Sequence, residues 1–191
     1  MKIKNVLAIS LVMFVFFSCN SKKKAAAIET KPENQITTAS PNPHPLDILP
    51  ESKEALKEKY EAAKAQNNLF AYLRKGYCYG ECPVFEITIY KDGFAAYEGK
   101  ANVPNIGKFA TLFSKEEMDL LAKFADDINY FGLQDKYNPG VADLPATTTK
   151  LSINGKTKSI ENVMNAPEGL KNFEKYFIEM IKTKKLNPIG E

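Results

Sequence analysis

The sequence predicts an α+β domain: an antiparallel sheet of hairpins with two amphipathic helices packed on one face, in the order strands, helix, hairpin, helix. Three observations carry this expectation. Residues 84–90 alternate, with Phe85, Ile87 and Ile89 on one face of a strand. Asp92-Gly93 and Asn154-Gly155 each separate two strand-like runs, as the residues of tight hairpin turns do. Two later segments, opening at Ser114 and Pro167, repeat apolar residues at helical spacing. Hydrophobic residues make up 44% of the 191 and charged residues 26%, which supports a buried core and excludes wholesale disorder.

The chain opens with Lys2 and Lys4, then an apolar run over residues 6–17 interrupted only by Ser10. A spanning helix takes about 20 apolar residues, so this run is too short, whereas a secretory h-region takes about 7–15. Ser18-Cys19 closes the run, and a cysteine after a small residue at that place resembles the bacterial lipoprotein signal. That resemblance implies a signal peptide over residues 1–18 and fatty acylation, such as palmitate, at Cys19, which becomes the first residue of the mature chain. An ordinary cleaved signal with an incidental cysteine is the alternative. Residues 19–50 carry Lys22-Lys23-Lys24, then Pro32, Pro41, Pro43, Pro45 and Pro50 among small polar residues, and are expected to form a disordered, semi-extended tether. The single histidine, His44, is read there as a solvated spacer. Residues 51–67, rich in Ala, Glu and Lys, predict a helical lead-in on the domain's edge, with a thin stripe of Leu56, Tyr60 and Ala63.

The globular domain is expected over residues 68–187, with a tail over 188–191. Residues 69–74 predict a strand that runs into Gly76, and 84–90, 94–99 and 108–113 predict three more. Ser114 and Glu117 form a capping box, and Met118, Leu121, Ala125 and Ile128 make the stripe of the helix that follows, ending near Tyr130-Phe131-Gly132. A loop with Pro139-Gly140 and Leu144-Pro145 leads to the second hairpin. A two-residue turn at Asn154-Gly155 pairs Leu151 with Lys158 and Thr149 with Ile160, placing Thr149, Leu151, Ile153 and Ile160 on one face. Leu170, Phe173, Phe177, Met180 and Ile181 form the stripe of the last helix.

Chemistry is sparse. With 26 basic against 23 acidic residues there is no strong basic patch, so no nucleic-acid partner is expected. One histidine leaves little room for His-based catalysis or multi-histidine metal sites, and no nucleophile elbow, P-loop or zincin motif occurs. The one chemical signature is the cysteine pair in Cys78-Tyr79-Gly80-Glu81-Cys82-Pro83. In an exported chain such a pair is read first as a disulfide. Bonded cysteines need Cα atoms about 4.4–6.8 Å apart, against roughly 13 Å in extended chain, so the segment must bend, with Gly80 supplying the freedom. Two alternatives stay open. Cys-x-x-x-Cys-Pro resembles the copper motif of the Sco family, making Cys78 and Cys82 candidate Cu(I) ligands, although that family's distant histidine and thioredoxin-like pattern are absent. A thiol-redox role would need a lowered thiolate pKa, which Glu81 opposes.

Arg74, the Cys78–Pro83 motif, Asp92-Gly93, Tyr97-Glu98-Gly99, Asp143-Leu144-Pro145, Asn154-Gly155 and Ala166-Pro167 recur in an order that resembles a bacterial family, domain of unknown function 6438. That family is common in lipoproteins of the Bacteroidota. The resemblance spans roughly residues 69–182 and implies an extracytoplasmic setting, with no activity attached. Arg74, Tyr77, Tyr79 and Asp143 are the candidate binding surface, with Tyr72 and Phe85 as further aromatic candidates near the cysteine turn. The expected role is a non-catalytic binding or scaffolding module in the cell envelope, the outer membrane favoured. It would be held to the membrane by a lipid anchor and would recognise an envelope protein, peptide or glycan without a cofactor. A thiol-dependent Cu(I)-binding or redox protein is the alternative.

Overall fold

A computed structural model describes residues 49–50, 52–140 and 144–190. The expected signal peptide, Cys19, His44, Asp143 and most of the tether lie outside the described residues. Within them, helix α1 (Lys53–Ala65) precedes strands β1 (Leu69–Lys75), β2 (Val84–Tyr90), β3 (Phe94–Ala101) and β4 (Gly107–Leu112). Helix α2 (Lys115–Asp127), a 3₁₀ turn (Tyr130–Gly132), β5 (Lys136–Tyr137), β6 (Thr147–Ile153), β7 (Lys156–Asn162), α3 (Glu168–Lys182) and β8 (Asn187–Pro188) follow.

The fold is α+β, and its sheet has eight strands in the order β5-β7-β6-β1-β2-β3-β4-β8. The sheet is mixed, which corrects the all-antiparallel expectation: β5 pairs with β7 in parallel, Lys136 opposite Glu161 and Tyr137 opposite Asn162. Two residues carry no alternation to read, and the strand exists because the chain returning from the 3₁₀ turn meets a free edge. The amide of Glu161 donates to the Asp135 carbonyl at 2.9 Å and that of Val163 to the Tyr137 carbonyl at 2.8 Å. β8 is equally short at the opposite edge, so the sheet ends on a two-residue strand at each side, and such short strands blunt an edge.

Local chemistry sets the turns. Asn154 and Gly155 both take positive φ, +51° and +74°, as a two-residue hairpin requires, and the register pairs Leu151 with Lys158 and Thr149 with Ile160. The first hairpin departs from its expected geometry: its loop is Lys91-Asp92-Gly93, and of these only Gly93 has positive φ, +81°. Asp92 instead accepts the Phe94 amide on its side chain at 3.1 Å, fixing the bend before the single left-handed residue. Ser114 and Glu117 form the complete capping box of α2.

Strand alternation then divides the core. On one face Ala71, Leu73, Ile87, Ile89, Tyr97, Leu151 and Ile160 pack with Leu121 and Ala125 of α2 and Leu170, Phe173 and Phe177 of α3. The intervening residues Tyr90, Phe94, Ala96 and Ala110 point to the opposite face, where Leu56 and Tyr60 of α1 bury them together with Ile189. Helices therefore lie on both faces. The lead-in helix closes the second core rather than resting on the edge, because even a thin Leu56, Tyr60, Ala63 stripe suffices to cover half a sheet face.

The other half of that face stays polar. Tyr72, Arg74, Glu86, Glu98, Lys100 and Lys150 share it by alternation and keep it wet. Leu56 is 4% exposed, so Leu56→Ala should cost about 2–4 kcal/mol in urea unfolding. A loss below about 0.5 kcal/mol would return α1 to the status of an edge ornament.

Candidate functional site

Gly76 to Pro83 carry the chain from β1 to β2 without regular structure, and the segment is held at three places. At its start the Gly76 amide donates to the Ala146 carbonyl at 2.9 Å, tying it to the chain entering β6. In its middle Cys78 and Cys82 are disulfide-bonded, with Cα atoms 5.9 Å apart. The bend between them places Gly80 at φ +146°, a conformation that side chains rarely adopt. At its end the Asn102 side-chain amide donates to the Cys82 carbonyl at 3.0 Å, so the loop between β3 and β4 supports the turn.

That supporting loop shapes β3 as well. A Cβ on Gly99 would collide with the Asn105 carbonyl oxygen, so the chain can fold back this closely only over a glycine. Val84 pairs with Ala101 but Phe85 pairs with Gly99, leaving Lys100 as the extra residue of a β-bulge. Lys100 stays on the polar face of the sheet beside Glu86 and lines a cavity of about 210 Å³. Arg74, Lys75, Gly76, Tyr77, Val84 and Phe85 complete its wall.

The charges around it are partly compensated. Glu86, across from Arg74 on the neighbouring strand, accepts the Tyr72 hydroxyl at 3.0 Å and pairs with Lys100 at 3.4 Å. Burial, and next the Glu86 carboxylate, raise the Tyr72 phenol above its usual range, so it stays protonated and donating. Arg74 is exposed and makes no ion pair among the described residues. Lys75 points to the helix side of the sheet and donates to Thr147 at 2.9 Å.

The sequence candidates separate cleanly. Arg74 and Tyr77 meet at the cavity, while Tyr79 stands on the turn, 99% exposed against 68% for Tyr77. Phe85 is a buried residue stacked on Tyr97, and Tyr72 belongs to the Glu86 pair. Of the four aromatic candidates, then, two are display residues and two are structural. Cys78 and Cys82 as bonded offer no thiolate, so the Cu(I) alternative needs this bond reduced. Among the described residues no group of three or more His, Cys, Asp and Glu could hold a metal.

The fold and this turn define a class: an α+β domain that presents Tyr79 on a disulfide-closed turn, with Tyr77 just before it, beside a cationic cavity. Residues 70–181 match the family described as Domain of unknown function (DUF6438), and the chain belongs to it. No curated protein matches the chain.

Sequence reading missed Lys100 and, on the helix side of the sheet, Lys75 and Glu174. Glu174 lies on the apolar stripe of α3, four residues after Leu170 and three before Phe177, and is only 7% exposed. The Asn162 side-chain amide donates to both of its oxygens, at 3.1 and 2.9 Å, while Lys75 adds a more distant favourable charge. Burial outweighs both and pushes the Glu174 carboxyl up from 4.5 to about 7.

The folded state thus holds this proton more tightly than the unfolded state does. The resulting stability is complete below pH 4.5 and is lost as pH rises through about 7. The loss should reach at most about 3 kcal/mol. Glu174→Gln should keep the neutral hydrogen-bonding shape, flatten that decline, and melt higher than the parent at pH 8 while matching it near pH 4. A Gln variant that melts lower at pH 8 would show that the ionised carboxylate is the stabilising form.

Proposed function

We propose that this protein is a lipid-anchored, extracytoplasmic binding module of the cell envelope, without catalysis of its own. The Lys2/Lys4, apolar-run and Ser18-Cys19 pattern supports the anchor at Cys19, with the outer membrane as the favoured location. A disulfide in the domain agrees with an oxidising compartment. One observation carries the binding role: Tyr79, a large aromatic residue, is 99% exposed on a short loop that a covalent bond holds in shape.

Exposed aromatic side chains raise no core stability, but they supply contact area at low entropic cost because only two side-chain torsions need to be fixed. Closing the loop covalently removes much of the ordering cost that binding would otherwise meet. The tether over residues 19–50 would hold the domain clear of the membrane and leave this loop accessible to an envelope protein, peptide or glycan.

The test places a photo-crosslinking amino acid at position 79 in the full chain and irradiates intact cells. A discrete adduct that is missing when the same group replaces exposed Lys175 on α3 is the expected result. Equal labelling from both positions, or none from position 79, would contradict a binding role for the loop.

A further inference from the structure

We infer that the cavity beneath the cysteine turn is a carboxylate subsite, and that the ligand of this loop is an acidic polypeptide whose glutamate or aspartate side chain enters it. The inference rests on the binding role proposed above and adds the chemistry of the ligand.

The wall is cationic and apolar together. Arg74 and Lys100 contribute charge, Val84 contributes hydrocarbon, and no carboxylate is among the lining residues. Glu86 lies close by, but Tyr72 and Lys100 already occupy its two oxygens. Lys75 is shared with Thr147. Arg74 is left with its guanidinium uncommitted among the described residues, and a planar guanidinium matches a carboxylate through two parallel hydrogen bonds.

Size narrows the class further. Pockets that take whole small-molecule ligands measure about 300–1,000 Å³, whereas this cavity has about 210 Å³. It fits one side chain of a larger molecule. A carboxylate at the end of a short aliphatic stem satisfies both parts of the wall: the stem lies on Val84 while the oxygens meet Arg74 and Lys100. A uronate glycan carries its carboxylate directly on a hydroxylated ring, and a phospholipid headgroup brings a bulkier hydrated phosphate; neither has that stem. Tyr77 at the rim and Tyr79 beyond it would receive the flanking polypeptide.

The geometry is also built rather than incidental. Lys100 lines the cavity from a bulged position in β3, and the bulge sits beside a loop that closes over Gly99 and bonds the turn through Asn102.

The experiment uses the full chain purified in detergent and a fluorescein-labelled, amidated hexaglutamate peptide, followed by fluorescence anisotropy. Arg74→Gln/Lys100→Gln should weaken binding about tenfold or more. Lys175→Gln/Lys185→Gln, which removes the same charge from exposed positions elsewhere, should stay within about twofold of the parent. Lys100→Arg should retain most of the binding and guards against a folding defect in the double variant. Failure of the peptide to bind the parent, or equal weakening in both double variants, would overturn the proposal. Stronger binding of polygalacturonate, or of phosphatidylglycerol vesicles, than of hexaglutamate would overturn it too, assigning the anion to a glycan or a lipid. If the acidic peptide fails while position 79 still gives its specific adduct, the loop binds something other than an acid. If both fail, the binding role falls with it.

Discussion

One covalent bond closes the segment on which the candidate site depends. Gly76 to Pro83 bury little, since Tyr77 and Tyr79 face solvent, so hydrophobic burial cannot fix their conformation. The Cys78–Cys82 bond does so locally. For so small a loop chain entropy assigns it only about 2 kcal/mol of global stability, a minor part of what holds a domain of this size. Its larger effect is positional. The Cys82 carbonyl receives Asn102, Asn102 belongs to the loop that folds over Gly99, and that loop adjoins the bulge at Lys100. A change at the cysteines is therefore felt at the cavity wall more than in the core.

The two sides of the sheet explain why such a site can exist there. Burial on the α2/α3 side is nearly continuous, and α1 repeats it over the β2–β4 half of the other side. What remains is a polar quarter of the sheet around Tyr72, Arg74, Glu86 and Lys100, whose residues are spared from packing. Backbone pairing in the central strands holds these side chains at fixed spacing, so a loosely built surface is avoided without apolar cover. Glu174 is the counterpart on the buried side. A carboxyl whose pKa burial raises beneath α3 trades stability at higher pH for a hydrogen-bonded join between α3 and the end of β7.

Much of this was legible in the sequence, and the reasons are local. Asn154-Gly155 demands positive φ twice, so that hairpin's register followed directly, and Ser114 with Glu117 marked the start of α2. What escaped depended on tertiary contact. The two-residue β5 has no periodicity of its own, and α1 looked peripheral until the second face of the sheet gave Leu56 and Tyr60 something to cover. For the site, Arg74 and Tyr77 were legible from their place beside the cysteines, whereas Lys100 was not, because only the pairing of β3 with β2 brings it to the turn. Glu174 did leave a signal: a carboxylate on an otherwise apolar stripe.

The central claim, that the turn works as a closed loop, is tested most directly by the state of its sulfurs in the cell. Protein taken from the native envelope, alkylated without reduction and digested, should show no alkyl group on Cys78 or Cys82, and one on each after reduction. Alkylation of both cysteines in the unreduced sample would contradict the account and make the resting dithiol, with its affinity for Cu(I), the form to explain.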